Sequence, residues 1–212
     1  MIGTSFGNSA SSGGAFSGLL DDYPNASAAY SIRRLSSAYL SNILEVRRSS
    51  DNTTLNIGYD VSGNLDTVAM LSFVGAGDGF VRTWYDQSGN ANNATQTTVG
   101  SQPQIISGGA INTENGKPKI QFDGSTSKLI HSAISGSAFY TSIVGKYDST
   151  IAGGYYPFIN SIMNTSGTGF TTFGYFMYYF DTGSQRIETR DGVTSDGITF
   201  TGGDTNQQLL TA

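Results

Sequence analysis

From about residue 28 onward, apolar and polar positions alternate in short runs broken by Gly, Asn and Asp. In "NILEVRRSS", Leu44 and Val46 fall on one side of the run and Glu45 and Arg47 on the other, the period of two that a half-buried strand requires. "TTLNIGYD" repeats the pattern with Leu55, Ile57 and Tyr59. "AAYSIRRL", "GFVRTWYD", "QPQIISGG", "KPKIQFDG" and "KLIHSA" read as further strands, followed by the longer apolar "AFYTSIVGKY", "YYPFINSIM" and "GYFMYYFDTG", and then by "QRIETRDG" and "GITFTG". One segment has helical spacing instead. In "DTVAMLSFVG", Asp66 can cap a first turn, Val68, Leu71 and Val74 recur at helical intervals, and Gly75 ends the run. Strands this frequent predict an all-β sandwich or jelly roll with one short helix.

Composition narrows the picture. The 212 residues suffice for one substantial core, and 28 glycines with only 13% charged residues favour tight turns over coiled coils or long surface helices. A net charge of −5 argues against a phosphate-binding surface, and the pairs Arg33-Arg34 and Arg47-Arg48 are too sparse to reverse it, so nucleic acid is not expected as a partner. With no cysteine and one histidine, neither a disulfide framework nor a thiolate or multi-histidine metal site can form, and no cofactor is expected. No apolar run approaches the roughly 18 residues of a membrane span, and the first residues lack the pattern of a secretion signal, so no membrane insertion is expected. Residues 1–18 are mostly Gly, Ser, Ala, Asn and Thr. They read as a flexible N-terminal arm, either a free leader or a segment with Phe6 and Phe16 as anchors that orders against a neighbouring subunit. The jelly roll then occupies 19–212. Gln207 to Ala212 reads as the start of a strand at an unclosed edge, which implies a fragment of a longer protein or an edge covered by another subunit or by the chain's own N-terminal arm, and a homo-oligomer is expected.

Candidate chemistry concentrates in "FVRTWYDQSGNANNATQ", which holds the single tryptophan. Alternation puts Trp84 and Tyr85 on opposite faces of a strand, with Trp84 expected to be largely buried, while Asp86, Ser88, Gly89 and Asn90 have turn chemistry. The segment reads as a structural corner; the alternative is a calcium-like oxygen cluster from Asp86, Asn90 and Asp123. "GAGDGF" follows a helix instead of opening one, so it is a helix stop and not a phosphate cradle. Asp181, Glu188 and Asp191 sit near an expected hairpin and are read as solvated turn residues, although paired carboxylates are what glycoside hydrolysis needs. His131 reads as a surface or rim residue, with no G-x-S-x-G elbow to pair with. In "GYFMYYF", Tyr175 and Tyr179 share one face of a strand that is either central or presents a tyrosine-bearing sugar platform or subunit contact.

The succession "AAYSIRRLSSAYLSNILEVRRSSDNTTLNIGYD", "LDTVAMLSFVGAGDGFVRTWYDQSGNANNATQ", "QPQIISGG" and "GKPKIQFDG" resembles a module of tailed-phage virion proteins with a concanavalin A-like (laminin-G-like) jelly-roll fold. It is similar, more distantly, to the catalytic domain of fungal and bacterial α-L-arabinofuranosidases, which have a comparable strand pair ahead of a "YDQSGN" segment. In that family the nucleophilic glutamate follows an Asn-Ala pair, shortly after two adjacent cysteines. The corresponding strand here, "GGYYPFINSIM", has Tyr155-Tyr156 in place of the cysteines and Ile162 after Asn160-Ser161 where the glutamate should stand. Isoleucine cannot attack an anomeric carbon.

The resemblance therefore implies a non-enzymatic virion protein that decorates the particle or binds host-surface glycan, located in the virion with other virion proteins as partners. The ligand-binding residues expected are Tyr155 and Tyr156 at the aligned cysteine positions and Tyr175 and Tyr179 on the tyrosine-bearing strand face, with no catalytic and no metal-binding residue. The competing expectation is a glycoside hydrolase or depolymerase acting on bacterial surface polysaccharide.

Overall fold

The computed structural model describes residues 16–132 and, beyond them, the strands within 142–145, 174–180, 184–190, 195–201 and 208–211. The chain divides into two compact units, Met1–Ser132 and Ala133–Ala212. It is mostly β, with antiparallel sheets and few helices.

The first unit opens with a one-turn helix, α1 (Leu19–Asp22), and an irregular stretch that runs to residue 43. Strand β1 (Leu44–Arg48) follows the expected alternation: Leu44 and Val46 are fully buried, and Glu45 and Arg47 take the other face. A turn leads to β2 (Thr54–Ile57), with Asn52 at φ 62, a left-handed conformation that asparagine tolerates. Helix α2 (Thr67–Val74) is capped by Asp66, whose Oδ1 accepts from the Ala69 N–H at 2.9 Å, and stops at Gly75 with φ 68. Its inward stripe differs from the expected one. Met70 and Val74 are buried while Val68 is 78% exposed, because Val68 lies about 200° around the helix from Met70 at 100° per residue.

Strand β3 (Gly79–Trp84) lies beside β1, and β4 (Ala94–Thr95), β5 (Gln104–Ser107) and β6 (Ala110–Ile111) complete a six-stranded sheet in the order β2-β1-β3-β5-β6, with β4 on β3. Glu45 pairs with Thr83 but Val46 pairs with Val81, so Arg82 is an extra residue bulged out of β3. A two-stranded hairpin, β7 (Thr113–Glu114) and β8 (Lys117–Pro118), follows. The core is Ile43, Leu44, Val46, Ile57, Leu65, Met70, Val74, Val81, Ile105 and Ile106. At Gly79 a Cβ would lie 3.1 Å from both Ile106 and Val74, so helix, β3 and β5 converge there as closely as a glycine permits.

Other expectations fail in this unit, among them the strand read in "KLIHSA", which makes only an isolated bridge from Ile130 to Thr95. Besides α2 there are the one-turn α1 and a 3₁₀ turn at Val99–Ser101. "AAYSIRRL" forms no strand; its one ladder contact is an isolated bridge, Arg33 to Asn64.

In the second unit, β9 (Ser142–Gly145) is followed by an antiparallel meander, β10 (Gly174–Phe180), β11 (Ser184–Arg190) and β12 (Ser195–Thr201), with β11 central. The last strand, β13 (Gln208–Thr211), pairs antiparallel with β9, so the C-terminal residues lie in a sheet as their sequence implies.

Candidate functional site

Two constellations stand out in the first unit. One is the corner after β3. Asp86 is 5% exposed, and its carboxylate accepts four hydrogen bonds: Oδ1 from the amides of Ala29 (2.8 Å) and Ser88 (2.9 Å), Oδ2 from the Ser88 hydroxyl (2.7 Å) and the Asn92 amide (3.0 Å). Gln87 continues the pattern. Its Oε1 accepts from Leu35 N at 2.8 Å, its Nε2 donates to the carbonyls of Ser31 (3.1 Å) and Arg33 (2.9 Å), and its own amide donates to Ala29 O at 2.8 Å. Asn90 and Asn92 donate to the carbonyls of Ala26 and Ser27, and Trp84 Nε1 to that of Ser31 at 3.1 Å. The failed strand at 26–35 is thus held in place by side chains of 84–92. Gly89 at φ 93 and Ala91 at φ 58 make the reversal between them.

This is the structural corner that the sequence implies, and the calcium alternative loses its ligands. Asp86 has about four lone-pair sites and four donors on them. Asp123 turns its oxygens on its own loop, accepting from the amides and hydroxyls of Thr126 and Ser127 and the amide of Ser125. Burial works against its ionisation, but those bonds outweigh it and hold the carboxyl well below the usual carboxylate range. Trp84 packs partly buried against the core and rests against Tyr30 with ring centroids 5.8 Å apart. His131 lies beside the same tyrosine, at 6.1 Å.

The other constellation is the face of the six-stranded sheet that carries Glu45 and Arg47. Glu45 accepts from the bulged Arg82 (Nη1, 2.7 Å) and from the Thr83 hydroxyl (2.8 Å). Desolvation pushes its carboxyl up, yet the Thr83 and Arg82 bonds prevail and hold it below its ordinary value, so it is a fixed anion and a poor proton donor at neutral pH. Next to it the Tyr85 hydroxyl donates to Asn56 Oδ1 at 2.7 Å. Arg47, 5% exposed, lies 4.6 Å over the Phe80 ring and donates from Nε to Gln102 Oε1 at 2.7 Å and from Nη1 to Asn52 Oδ1 at 2.8 Å. Alternation along β1 foretells the polar face but neither the bulge that brings Arg82 to Glu45 nor the burial of Arg47.

Of the residues expected to bind ligand, Tyr155 and Tyr156 lie outside the described residues, as do Asn160, Ser161, Ile162, Asp181 and Asp191. Tyr175 and Tyr179 are in β10, opposite Thr189 and Gln185 of β11. Glu188 is no turn residue: it sits inside the central strand β11, between Phe176 of β10 and Gly197 of β12. Both pairings run through Glu188, with Thr189 and Arg190 still paired between it and the end of the strand.

Comparison with known proteins places the chain among glycoside hydrolase domains. It belongs to the alpha-L-arabinofuranosidase B catalytic family, whose profile matches residues 21–156. Among solved structures it is similar to a GH54 α-L-arabinofuranosidase soaked with a cyclic sulfate inhibitor (20% identity, TM-score 0.59) and to an arabinofuranosidase complexed with arabinofuranosyl-α-1,2-xylobiose (19%, 0.55). It is also similar to a glutamate-to-glutamine mutant of a GH54 enzyme soaked with 4-nitrophenyl α-L-arabinofuranoside (20%, 0.59). Each likeness covers 84% of this chain and 42% of the other, so the chain spans less than half the length of these relatives, and at such identities the likeness is one of fold. No curated protein matches. Family membership overturns the expected non-enzymatic virion role: the stretches read as a virion module fall mostly within residues 21–156, which match a family of catalytic domains. It favours the competing expectation, a glycoside hydrolase.

Proposed function

We propose that this chain is the catalytic-fold portion of a glycoside hydrolase that removes α-L-arabinofuranosyl groups from glycans, built as a concanavalin A-like jelly roll. The observation that carries the reading is the family match over residues 21–156. Hydrolysis of a glycosidic bond needs one carboxyl group to protonate the leaving oxygen and a second to act as nucleophile or to activate water. Glu45 is unsuited to the acid role, being held ionised. With Ile162 at the position aligned to the family nucleophile, another carboxylate has to serve, and Glu188 is our candidate. A residue within a central strand is positioned more rigidly than one in a turn, and the register partner of Glu188 in β12 is Gly197. By register Glu188 shares its face of the sheet with Phe176, so Tyr175 and Tyr179 fall on the opposite face, and a sugar platform formed by those two tyrosines is separate from the Glu188 site.

The test is release of 4-nitrophenol from 4-nitrophenyl α-L-arabinofuranoside by the protein and by Glu188→Gln. Loss of roughly 10²–10⁴-fold in kcat with an unchanged melting temperature is expected for a group acting on the reacting bond. A wild-type protein without turnover on arabinofuranosides sinks the enzyme reading; an active Glu188→Gln variant sinks only the residue.

A further inference from the structure

Arg47 poses a problem that the proposed hydrolysis does not solve. It is almost wholly buried, and among the described residues its charge meets no carboxylate; the ion pairs there are Arg48–Asp51, Arg82–Glu45 and Lys119–Glu114. Two amide oxygens and the Phe80 ring offer it dipoles but no counter-charge, and removing a cation from water without one is costly. Nε and Nη1 are engaged, and Nη2 donates no hydrogen bond to the described residues. A planar fork with one arm unused is suited to a carboxylate. Along the same strand face stand the half-exposed Tyr85 ring, the exposed Asn56 amide and the Glu45–Arg82 pair, groups that pack on a sugar ring and exchange hydrogen bonds with its hydroxyls. The chain as a whole is acidic, so an anion would be drawn here by this contact and not by a long-range field.

We propose that this face of β1, β2 and β3 binds glycan chains bearing uronic-acid carboxylates, with Arg47 receiving the carboxylate and Tyr85 and Asn56 the neighbouring sugar. The choice of a glycan over another carboxylate source rests on the glycoside hydrolase reading; the anion requirement rests on Arg47 alone.

The experiment is calorimetric titration of the full chain with a xylo-oligosaccharide carrying one glucuronate and with the same oligosaccharide lacking it. Binding at least tenfold tighter for the charged sugar is expected, with the difference abolished in Arg47→Gln and partly kept in Arg47→Lys. Thermal melts report whether the Arg47 variants fold; should they not, Tyr85→Ala is expected to weaken both sugars while leaving the charge preference of the wild type in place. Equal binding of the two sugars, or a preference that survives Arg47→Gln, overturns the proposal. So does an acidic peptide that binds as tightly as the charged sugar, which would make the carboxylate alone the ligand. Because binding is read without turnover, a protein that binds the uronate sugar but releases no arabinose refutes the hydrolase reading and not this one.

Discussion

Replacing Asp86 by alanine removes an acceptor on which four donors converge, two of them, the amides of Ala29 and Asn92, far from Asp86 in sequence or beyond the adjacent turn. A hydrogen bond to a charged acceptor contributes about 1.5–3 kcal/mol, and a buried donor left without a partner costs about 1–3 kcal/mol. Summing all four bonds overstates the effect, because both Ser88 donors can turn to water once the carboxylate is gone. Counting the Ala29 and Asn92 amides alone gives about 3–6 kcal/mol for Asp86→Ala, a large share of the stability of a typical domain. Asp86→Asn keeps one acceptor oxygen and presents an amide N–H to the other pair, so about half that loss is expected. Urea unfolding of the full chain measures the stability, and amide hydrogen exchange at Ala29 measures whether the loss arises at the corner. If Asp86→Ala unfolds within about 1 kcal/mol of wild type while the Ala29 amide stays protected, the corner is not what holds residues 26–35 and the reasoning fails.

Two further outcomes follow from the turn and helix ahead of the sheet. Gly63 has φ 79, and a Cβ there would meet the Phe16 ring at 2.4 Å, so Gly63→Ala should cost about 1–3 kcal/mol, and adding Phe16→Ala should cost less than its own single-mutant value; strict additivity in the double-mutant cycle would refute the steric account. Asp21 accepts from the Gly18 and Ser37 amides and the Ser36 hydroxyl, which lower its pKa from 3.8 to about 2. A carboxyl depressed in the folded state contributes fully above its unfolded value and loses that contribution as pH falls from about 4 through about 2, so Asp21→Asn should flatten the melting temperature across that window and leave the neutral-pH slope alone.

Where the fold was legible, a single periodic signal decided it. Leu44 and Val46 against Glu45 and Arg47 defined β1, Asp66 and Gly75 bounded α2, and the polar turn-formers after Trp84 announced a corner. Where it was not legible, a partner distant in sequence overrode the local pattern. "AAYSIRRL" alternates well enough to be a strand, but its backbone groups are taken by Asp86, Gln87 and Trp84, and nothing within the segment says so. The bulge at Arg82 depends on the register of β1 and cannot be read from β3. Glu188 looks like a turn residue because acidic and glycine residues crowd around it, and only the pairing of both neighbouring strands shows it to be central. The candidate site was legible least of all, since buried charge is a property of the assembled sheet and not of any one run.

The bonds that fasten 26–35 to the corner connect positions 52 to 65 residues apart, and none of them belongs to a ladder that could grow one pair at a time. Such a segment gains nothing until β3 and its turn exist, so in folding it arrives late, and in the native state it is the piece that can peel away as a unit while the sheet stays intact. Its release would uncover Trp84 and Tyr30 together, giving the single tryptophan a second use as a fluorescent reporter of that local opening.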